Sequence, residues 1–463
     1  MKLSKKVHRS FHIFLAFVFG VWTLSCSTPS SQKPQQLTFF ANLPQFSAVS
    51  ETQIPYPIIL LHGLGQKAEV WNDANAVKFY AQDLGLGFGG TIKFSQGVPQ
   101  LLDNSASKTS DFFTVSFSSP YDSIGGWARE LRKAIDIVRT TTKSDKVILI
   151  GYSMGGVAAR YHLILQPNNH HVKRLITIGS PHQGSAFAKA YNWKTSINAG
   201  LADNPNFVKK LALDAAKGTL ETLETGVPFD APAVGDLRLP HDGGRFLFTI
   251  NRLPHPGDVE YVSVVGRVEF LEGVASLRVS TFSEILRRGL EVLGQGGTAL
   301  LRDGDGVVSA QSQNISELPW FTMDRNRQKI ARTITLQTEH LQHLKSSNEI
   351  QRVTLEEQPE LKGADFYKIN DKGALVIDFI DYLPAYKTSV KVTVQKKGIV
   401  VFTKEIPKEK ISLVRKKDGR VVLRAILEYP QNDDWNEELT FDYTITNSFG
   451  NSVNSSKVWE PNM

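Results

Sequence analysis

One stretch of the 463-residue chain limits the possible folds more than any other: residues 146–160, KVILIGYSMGGVAAR. Val147, Ile148, Leu149 and Ile150 form an unbroken apolar run, the pattern of a strand buried on both faces. Gly151-Tyr152-Ser153-Met154-Gly155 follows at once, then Gly156, Val157 and Ala158, small enough to start a closely packed helix. Strand, sharp turn and helix is the setting in which G-x-S-x-G works as a nucleophile elbow: the turn strains Ser153 and holds its hydroxyl above the sheet. Gly151 and Gly155 leave room for the backbone to pass close to itself. The alternative is a plain glycine-rich turn; the strand before it and the helix after it favour the elbow.

The surrounding pattern has the same character. Residues 57–61 read as a second buried strand running into His62-Gly63-Leu64-Gly65, and residues 112–117 as a third. Trp127, Leu131, Ala134, Ile135 and Val138 recur at helical spacing, which predicts an amphipathic helix over 123–141. Residues 174–178 form a strand ending in Gly179-Ser180-Pro181-His182-Gln183-Gly184; further strands are expected at 259–265 and 333–337. Strands alternating with helices predict an α/β fold, a doubly wound, mainly parallel sheet with helices on both faces. The chain is longer than one ordinary core, so two domains are expected. A hydrophobic content of 41% with 21% charged residues fits a globular protein.

The first 25 residues read as a signal peptide: a basic stretch with Lys2, Lys5, Lys6 and Arg9 precedes an apolar run over 11–24, too short for a comfortable membrane span. Setting those four cations aside lowers the net charge from +7 to +3, too little to imply a nucleic-acid partner. Cys26, the only cysteine, follows directly, so no disulfide forms within the chain. Thr23-Leu24-Ser25-Cys26 resembles the lipobox of bacterial lipoproteins, with Thr23 and Ser25 departing from its usual residues. The resemblance implies an exported, lipid-anchored protein of a bacterial cell envelope, with Cys26 as the anchor and residues 26–50 as a tether; plain secretion after cleavage near Ser25 or Ser27 is the alternative.

Residues 57–71, 123–156 and 175–185 together resemble the bacterial lipases and related lipid esterases of the α/β-hydrolase superfamily, in which HG-x-x-G, G-x-S-M-G-G and GSPH-x-G-S recur in this order. His62-Gly63-Leu64-Gly65 matches the first motif only approximately, and Tyr152 stands where a histidine often precedes the nucleophile. The resemblance covers roughly residues 55–350 and implies hydrolysis of a carboxylic ester, usually of a lipid. A catalytic domain over 51–355 follows, with a cap or lid insertion around 187–258, where the pattern loosens and a helix is expected over 207–223; a merely structural insertion is the alternative. Another helix is expected over 283–293.

In this fold the oxyanion hole takes one backbone N–H from the turn after the 57–61 strand and one from the residue after the nucleophile. Those donors are Leu64 and Met154; a plain turn with His62 as a packing residue is the alternative. The triad acid should follow the serine and precede the histidine in the chain. Asp303 and Asp305 both stand in Arg302-Asp303-Gly304-Asp305-Gly306-Val307-Val308; a calcium loop or a plain turn is the alternative there. The resembling lipases carry Asp-Gly-x-Val at this place, which implies Asp305. Only His340 and His343 lie beyond it. His340 sits just past the last expected strand, and His340-Leu341-Gln342-His343-Leu344 fits the relatives' His-Leu-x-x-aliphatic pattern, which implies His340; His343 is expected on the next turn, solvated. The upstream His170, His171 and His182 are expected at the surface or in loops, and no cluster has zinc-ligand spacing. The mechanism expected from Ser153, Asp305 and His340 needs no cofactor, and a structural calcium is not indicated.

From about residue 360 helical periods stop. Val390, Val392 and Val394 alternate with polar residues, as do Leu439, Phe441, Tyr443 and Ile445, and Lys416-Lys417-Asp418-Gly419 separates two strands as a hairpin turn would. Residues 360–463 are therefore expected to form a smaller all-β sandwich, immunoglobulin-like in outline. The partner implied is a lipid ester or a membrane surface. An acyltransferase or thioesterase on the same triad, or a non-catalytic surface binding protein, are the competing readings.

Overall fold

The computed structural model describes residues 52–102, 109–185, 188, 227–228, 230–267, 304–324, 327, 330–344, 355, 358–369, 372–416, 421–429 and 437–460. Cys26 with its flanking segment, Asp303, the expected helices over 207–223 and 283–293, and the turn residues 417–420 lie outside the described residues.

The first strands are β1 (Ile58–Leu61), β2 (Phe88–Ser95), β3 (Val98–Leu101) and β4 (Phe112–Ser116). Helix α1 (Ile124–Thr142), strand β5 (Val147–Tyr152), helix α2 (Met154–Leu165), and strands β6 (Val172–Ile178), β7 (Glu260–Arg267) and β8 (Ala331–Gln337) complete the layer. They build one eight-stranded sheet in the order β3-β2-β4-β1-β5-β6-β7-β8. Every neighbouring pair is parallel except β2 with β3, so the expected mainly parallel sheet is what forms.

The unbroken apolar runs have a direct physical cause. Ile59, Leu61, Val147 and Leu149 face one core together with Trp127, Leu131 and Val157, whereas Ile58, Leu60, Ile148 and Ile150 face a second with Trp71, Tyr80 and Leu344. A strand covered on both faces has no polar side to show. Helix α1 begins one residue later than the hydrophobic period predicts: Ser123 stays outside as its cap, the hydroxyl accepting from Gly126 N at 3.0 Å. From the following insertion, Asp236 accepts from Ile124 N at 2.9 Å, placing a carboxylate at the positive end of the helix dipole.

Eight antiparallel strands follow: β9 (Glu360–Ile369), β10 (Lys372–Ile380), β11 (Thr388–Lys396), β12 (Ile399–Ile406), β13 (Ile411–Arg415), β14 (Val421–Tyr429), β15 (Leu439–Asn447) and β16 (Ser452–Trp459). They form two four-stranded sheets, β13-β14-β10-β9 and β12-β11-β15-β16. Leu375, Ile377 and Leu423 of the first share a core with Val390, Val392, Phe441 and Ile445 of the second, which is the sandwich read from the alternation.

Between β10 and β11, Tyr382 and Leu383 leave that sandwich core and join the second core of the α/β layer. The Tyr382 hydroxyl donates to Glu260 at 2.7 Å, and the Arg174 guanidinium lies 3.6 Å over its ring centroid. Arg174 and Lys173 also donate to Glu260, at 2.9 and 2.6 Å. Burial pushes the Glu260 carboxyl up, but the charges and hydrogen bonds of Arg174, Lys173 and Tyr382 outweigh it and hold it down to about 2. Tyr382→Ala should therefore cost about 3–5 kcal/mol of stability in denaturant unfolding, the range for losing a buried aromatic side chain. Tyr382→Phe, which removes only the hydroxyl, should cost about 1–3 kcal/mol. Equal losses for the two variants would mean that the ring contributes nothing.

Candidate active site

The strand order reverses between β1 and β5, and the crevice beyond the carboxyl ends of strands at such a point is where open α/β sheets place ligands. Ser153 stands there, at the end of β5, with φ 51° and ψ −125°. That conformation strains any residue with a side chain, by about 1–3 kcal/mol. The elbow glycines hold the strain in place. A Cβ at Gly155 would stand 2.4 Å from the carbonyl oxygen of His62, and one at Gly151 would stand 2.5 Å from the backbone of Gly156. Neither position has room for a larger residue, so strand and helix close directly on β1.

His340 opens a single turn of 3-10 helix three residues after β8, and Asp305 lies in the connection between β7 and β8. The His340 Nε2 is 3.0 Å from Ser153 Oγ, and its Nδ1 is 2.7 Å from Asp305 Oδ2. The His340 amide donates to the Asp305 carbonyl at 2.7 Å, so backbone and side chain fix the pair together. Asp305 is fully buried, and its Oδ1 accepts from Val307 N at 3.1 Å and Val308 N at 2.8 Å. Burial raises the proton affinity of this carboxyl, but the His340 charge and hydrogen bond, followed by those of His343, outweigh it and hold Asp305 ionised. Because Asp305 can only accept, the His340 Nδ1 carries the proton and Nε2 is free to take one from Ser153.

Leu64 and Met154 are the expected oxyanion donors; Met154 follows Ser153 in the chain, and a Cβ at Gly63, beside Leu64, would stand 3.1 Å from Ser153 Cβ. Among the described residues neither amide donates to a protein acceptor, whereas the neighbouring Gly63, Gly65 and Gln66 amides do, to Gln66 Oε1, Pro120 O and Gly63 O. Val227 and Tyr121 crowd Gly65, with a Cβ there standing 3.1 and 3.6 Å from them, so apolar side chains cover this turn. His62 packs against Trp127 and Phe117 at 4.8 and 5.2 Å between ring centroids. Its Nδ1 donates to Gly63 O at 2.8 Å, and Nε2 accepts from Phe117 N at 3.3 Å. His62 is thus a packing residue that also braces the Leu64 turn.

Three histidines differ from the sequence reading. His182 is fully buried, its Nε2 3.2 Å from Thr177 Oγ1, because residues of the later segments around 251–255 and 312 close over the end of β6. His170 is buried as well, accepting from Val172 N and touching Asp258 at 3.1 Å. His343, expected in solvent, is completely buried with Nε2 3.3 Å from Asp305 Oδ2. Local sequence carries no sign of these coverings, which come from residues far along the chain.

Tyr152 also does more than its sequence position suggests. Its hydroxyl donates to the His340 carbonyl at 2.9 Å and its ring lies 5.3 Å from the imidazole. A tyrosine in an all-buried strand must find a partner for its hydroxyl, and that requirement was the available signal. Gln313, which has no such marker, donates to Val308 O at 2.9 Å and brackets both backbone groups of Gly266, fastening the Asp305 loop to β7.

Residues 54–207 match the family model described as a PGAP1-like alpha/beta domain. A triacylglycerol lipase of Burkholderia plantarii is 28% identical over 152 residues, 33% of this chain and 37% of that protein. The chain is similar to lipases over this part, on an α/β-hydrolase fold. A GPI inositol-deacylase of Neurospora crassa is 30% identical over 170 residues, 30% of this chain and 13% of that protein. The chain thus spans little more than a third of the length of the triacylglycerol lipases it matches. Among solved structures, the mature Bacillus licheniformis lipase BlEst2 is 18% identical with a TM-score of 0.39, over 65% of this chain and 91% of that one.

Several histidines of the α/β layer are buried among the described residues. Burial lowers His62 and His162 to about 4 and His255 to about 3, and it lowers His182 and His343 in the same direction. The unfolded chain takes these protons near the ordinary value of about 6.5, so the stability they carry is complete above that pH and is lost as pH falls toward 4. Asp111 and Asp381, raised to about 6 mainly by burial, work the other way and offset part of this. The net expectation is a loss of stability as pH falls from 6 toward 4, read from urea midpoints. A flat stability between pH 6.5 and 4 would mean that these histidines are protonated in the fold.

Proposed function

We propose that the chain is a serine hydrolase that cleaves carboxylic esters of lipids through an acyl-enzyme. The observation that carries this reading is the unbroken series from strained Ser153 through His340 to buried Asp305, at 3.0 and 2.7 Å. Ser153 Oγ attacks the ester carbonyl carbon while its proton passes to His340 Nε2. The carbonyl electron pair moves onto oxygen, held by the Leu64 and Met154 amides. The imidazolium, stabilised by Asp305, returns the proton to the departing alkoxide. Water, deprotonated by His340, then repeats the sequence on the acyl-serine and releases the acid.

Lipid as the substrate class draws support from the names of the relatives, a triacylglycerol lipase and an inositol-deacylase, both of which describe acyl esters. Hydrolysis of a series of esters from acetate to palmitate, free and on a dispersed lipid surface, tests it. The reading expects turnover of long acyl chains, rising on the surface. Turnover limited to soluble short esters would remove lipid from the account, and none at all would remove hydrolysis. Attachment through a lipidated Cys26 belongs to the same proposal and rests on the lone cysteine after the apolar run. Cys26→Ser should shift the protein out of the detergent phase, and an unmodified N-terminus downstream of Cys26 would end that part.

A further inference from the structure

We propose that His343 is a positioning residue of the triad, a second and neutral imidazole that donates from Nε2 to Asp305 Oδ2 and so holds the carboxylate in place for His340. This rests on the hydrolase reading above and adds a member to its site. The residue has the burial, the neighbours and the chemistry for the task. It has no exposed surface, and its Nε2 lies 3.3 Å from the same carboxylate oxygen that His340 meets at 2.7 Å. The two rings stand perpendicular, 6.2 Å apart, so they approach that oxygen from different directions without touching.

Space for the second ring is built into the sheet. A Cβ at Gly266, in β7, would stand 2.4 Å from His343 Nε2, and one at Gly179, after β6, would stand 3.0 Å from Cδ2. One strand and the turn after its neighbour therefore lack side chains where this imidazole enters. Among the described residues no other polar group meets either of its ring nitrogens, so Asp305 is the one group it can serve. A histidine kept only for packing would bury two polar nitrogens that an aliphatic residue of similar size would not.

The tautomer follows from the partner. A carboxylate accepts only, so Nε2 must carry the proton, and burial keeps the ring neutral. The contact is longer and less directed than that of His340, and strict hydrogen-bond geometry leaves it unmade. That inequality suits the role. His340 must keep the strong bond, because it becomes charged during each turnover, while a weak neutral donor steadies Oδ2 without competing for it. Around the dyad, Tyr152 from β5 donates to the His340 carbonyl and Glu339 precedes His340; Gly179, after β6, and Gly266, in β7, do not titrate.

Full-length His343→Leu and His343→Gln variants test this, with rates normalised to the sites that a fluorophosphonate labels. In His343→Leu, kcat per labelled site should fall about 3- to 10-fold with KM unchanged, the effect of removing one weak buried donor. The acid limb of the kcat/KM profile should move up by about half to one pH unit, because an Asp305 charge shared with one donor fewer binds the His340 proton more tightly. Glutamine, which keeps a donor, should restore both. Unchanged kcat and acid limb in His343→Leu, or losses that glutamine does not recover, would refute the role. If His343→Leu does not fold, nitrogen-15 NMR of the wild type decides: a neutral Nε2–H signal, absent in His343→Gln, supports the assignment, and an Nδ1–H tautomer or an imidazolium contradicts it. Wild-type protein with no ester turnover and no label on Ser153 would instead count against the hydrolase reading itself.

Discussion

Ser153→Ala should give a folded protein that hydrolyses esters about a thousandfold more slowly than the wild type, or worse. The substitution removes the one atom that forms the acyl bond and leaves everything else in place. Alanine fits where serine did, because the crowding that fixes this turn comes from the Gly151 and Gly155 backbones and not from Oγ. Thermal unfolding should therefore stay close to that of the wild type while turnover collapses. His340→Ala should be as severe, since a serine without its base is left as an ordinary alcohol. The two losses should not add in the double variant, because each alone already breaks the same unit. Comparable turnover in a folded Ser153→Ala protein would place the chemistry elsewhere in the molecule.

Asp305→Asn should lower kcat by about ten-thousandfold, the loss that the same change brings in a serine-protease triad. Here the surroundings say why. Oδ1 accepts from the Val307 and Val308 amides, so the carbamoyl oxygen of an asparagine has to take that place. Its NH2 group then points at His340 Nδ1 and His343 Nε2, which now meet a donor in place of an acceptor. His340 would respond by moving its proton to Nε2, and in that tautomer it cannot accept the serine proton. Folding should survive, because volume and most hydrogen bonds are kept. An Asp305→Asn enzyme within tenfold of the wild type would show that the carboxylate does not orient the base.

Much of the α/β layer was legible because its strands are covered twice. The runs at 57–61 and 147–150 could hardly be anything but buried strands, and the elbow glycines follow from the close approach of α2 to β1. The sandwich was legible for the opposite reason: Val390, Val392 and Val394 alternate because one side of β11 faces the core and the other faces outward. Chain order narrowed the acid to Asp303 or Asp305 and the base to His340 or His343, and the lipase-like patterns around them pointed to Asp305 and His340. The strand order of the sheet left no such trace, since it is set by which edges meet and not by any local pattern.

What stayed hidden depends on distant residues. His343 looked like a turn residue bound for solvent, and only the absence of side chains at Gly179, just after β6, and at Gly266, in β7, lets it sink beside Asp305. His182 and His170, expected at the surface or in loops, do lie in loops, but in loops that later segments cover. Tyr152 occupies a position usually judged by its neighbour, the nucleophile, and its hydroxyl serves His340, 188 residues away in the chain. Tyr382 belongs by sequence to the sandwich and by packing to the hydrolase layer. Each of these required a partner that only the fold brings near.

The most direct test of the account is to react the protein with a fluorophosphonate and locate the adduct by peptide mass mapping. Such a reagent phosphonylates a serine only where a base activates it, so it reports nucleophile and base together. The account predicts a single adduct on Ser153, formed in step with the loss of ester hydrolysis and absent in His340→Ala. An enzyme that loses its activity while Ser153 remains unmodified, or a Ser153 that reacts equally well without His340, would contradict it.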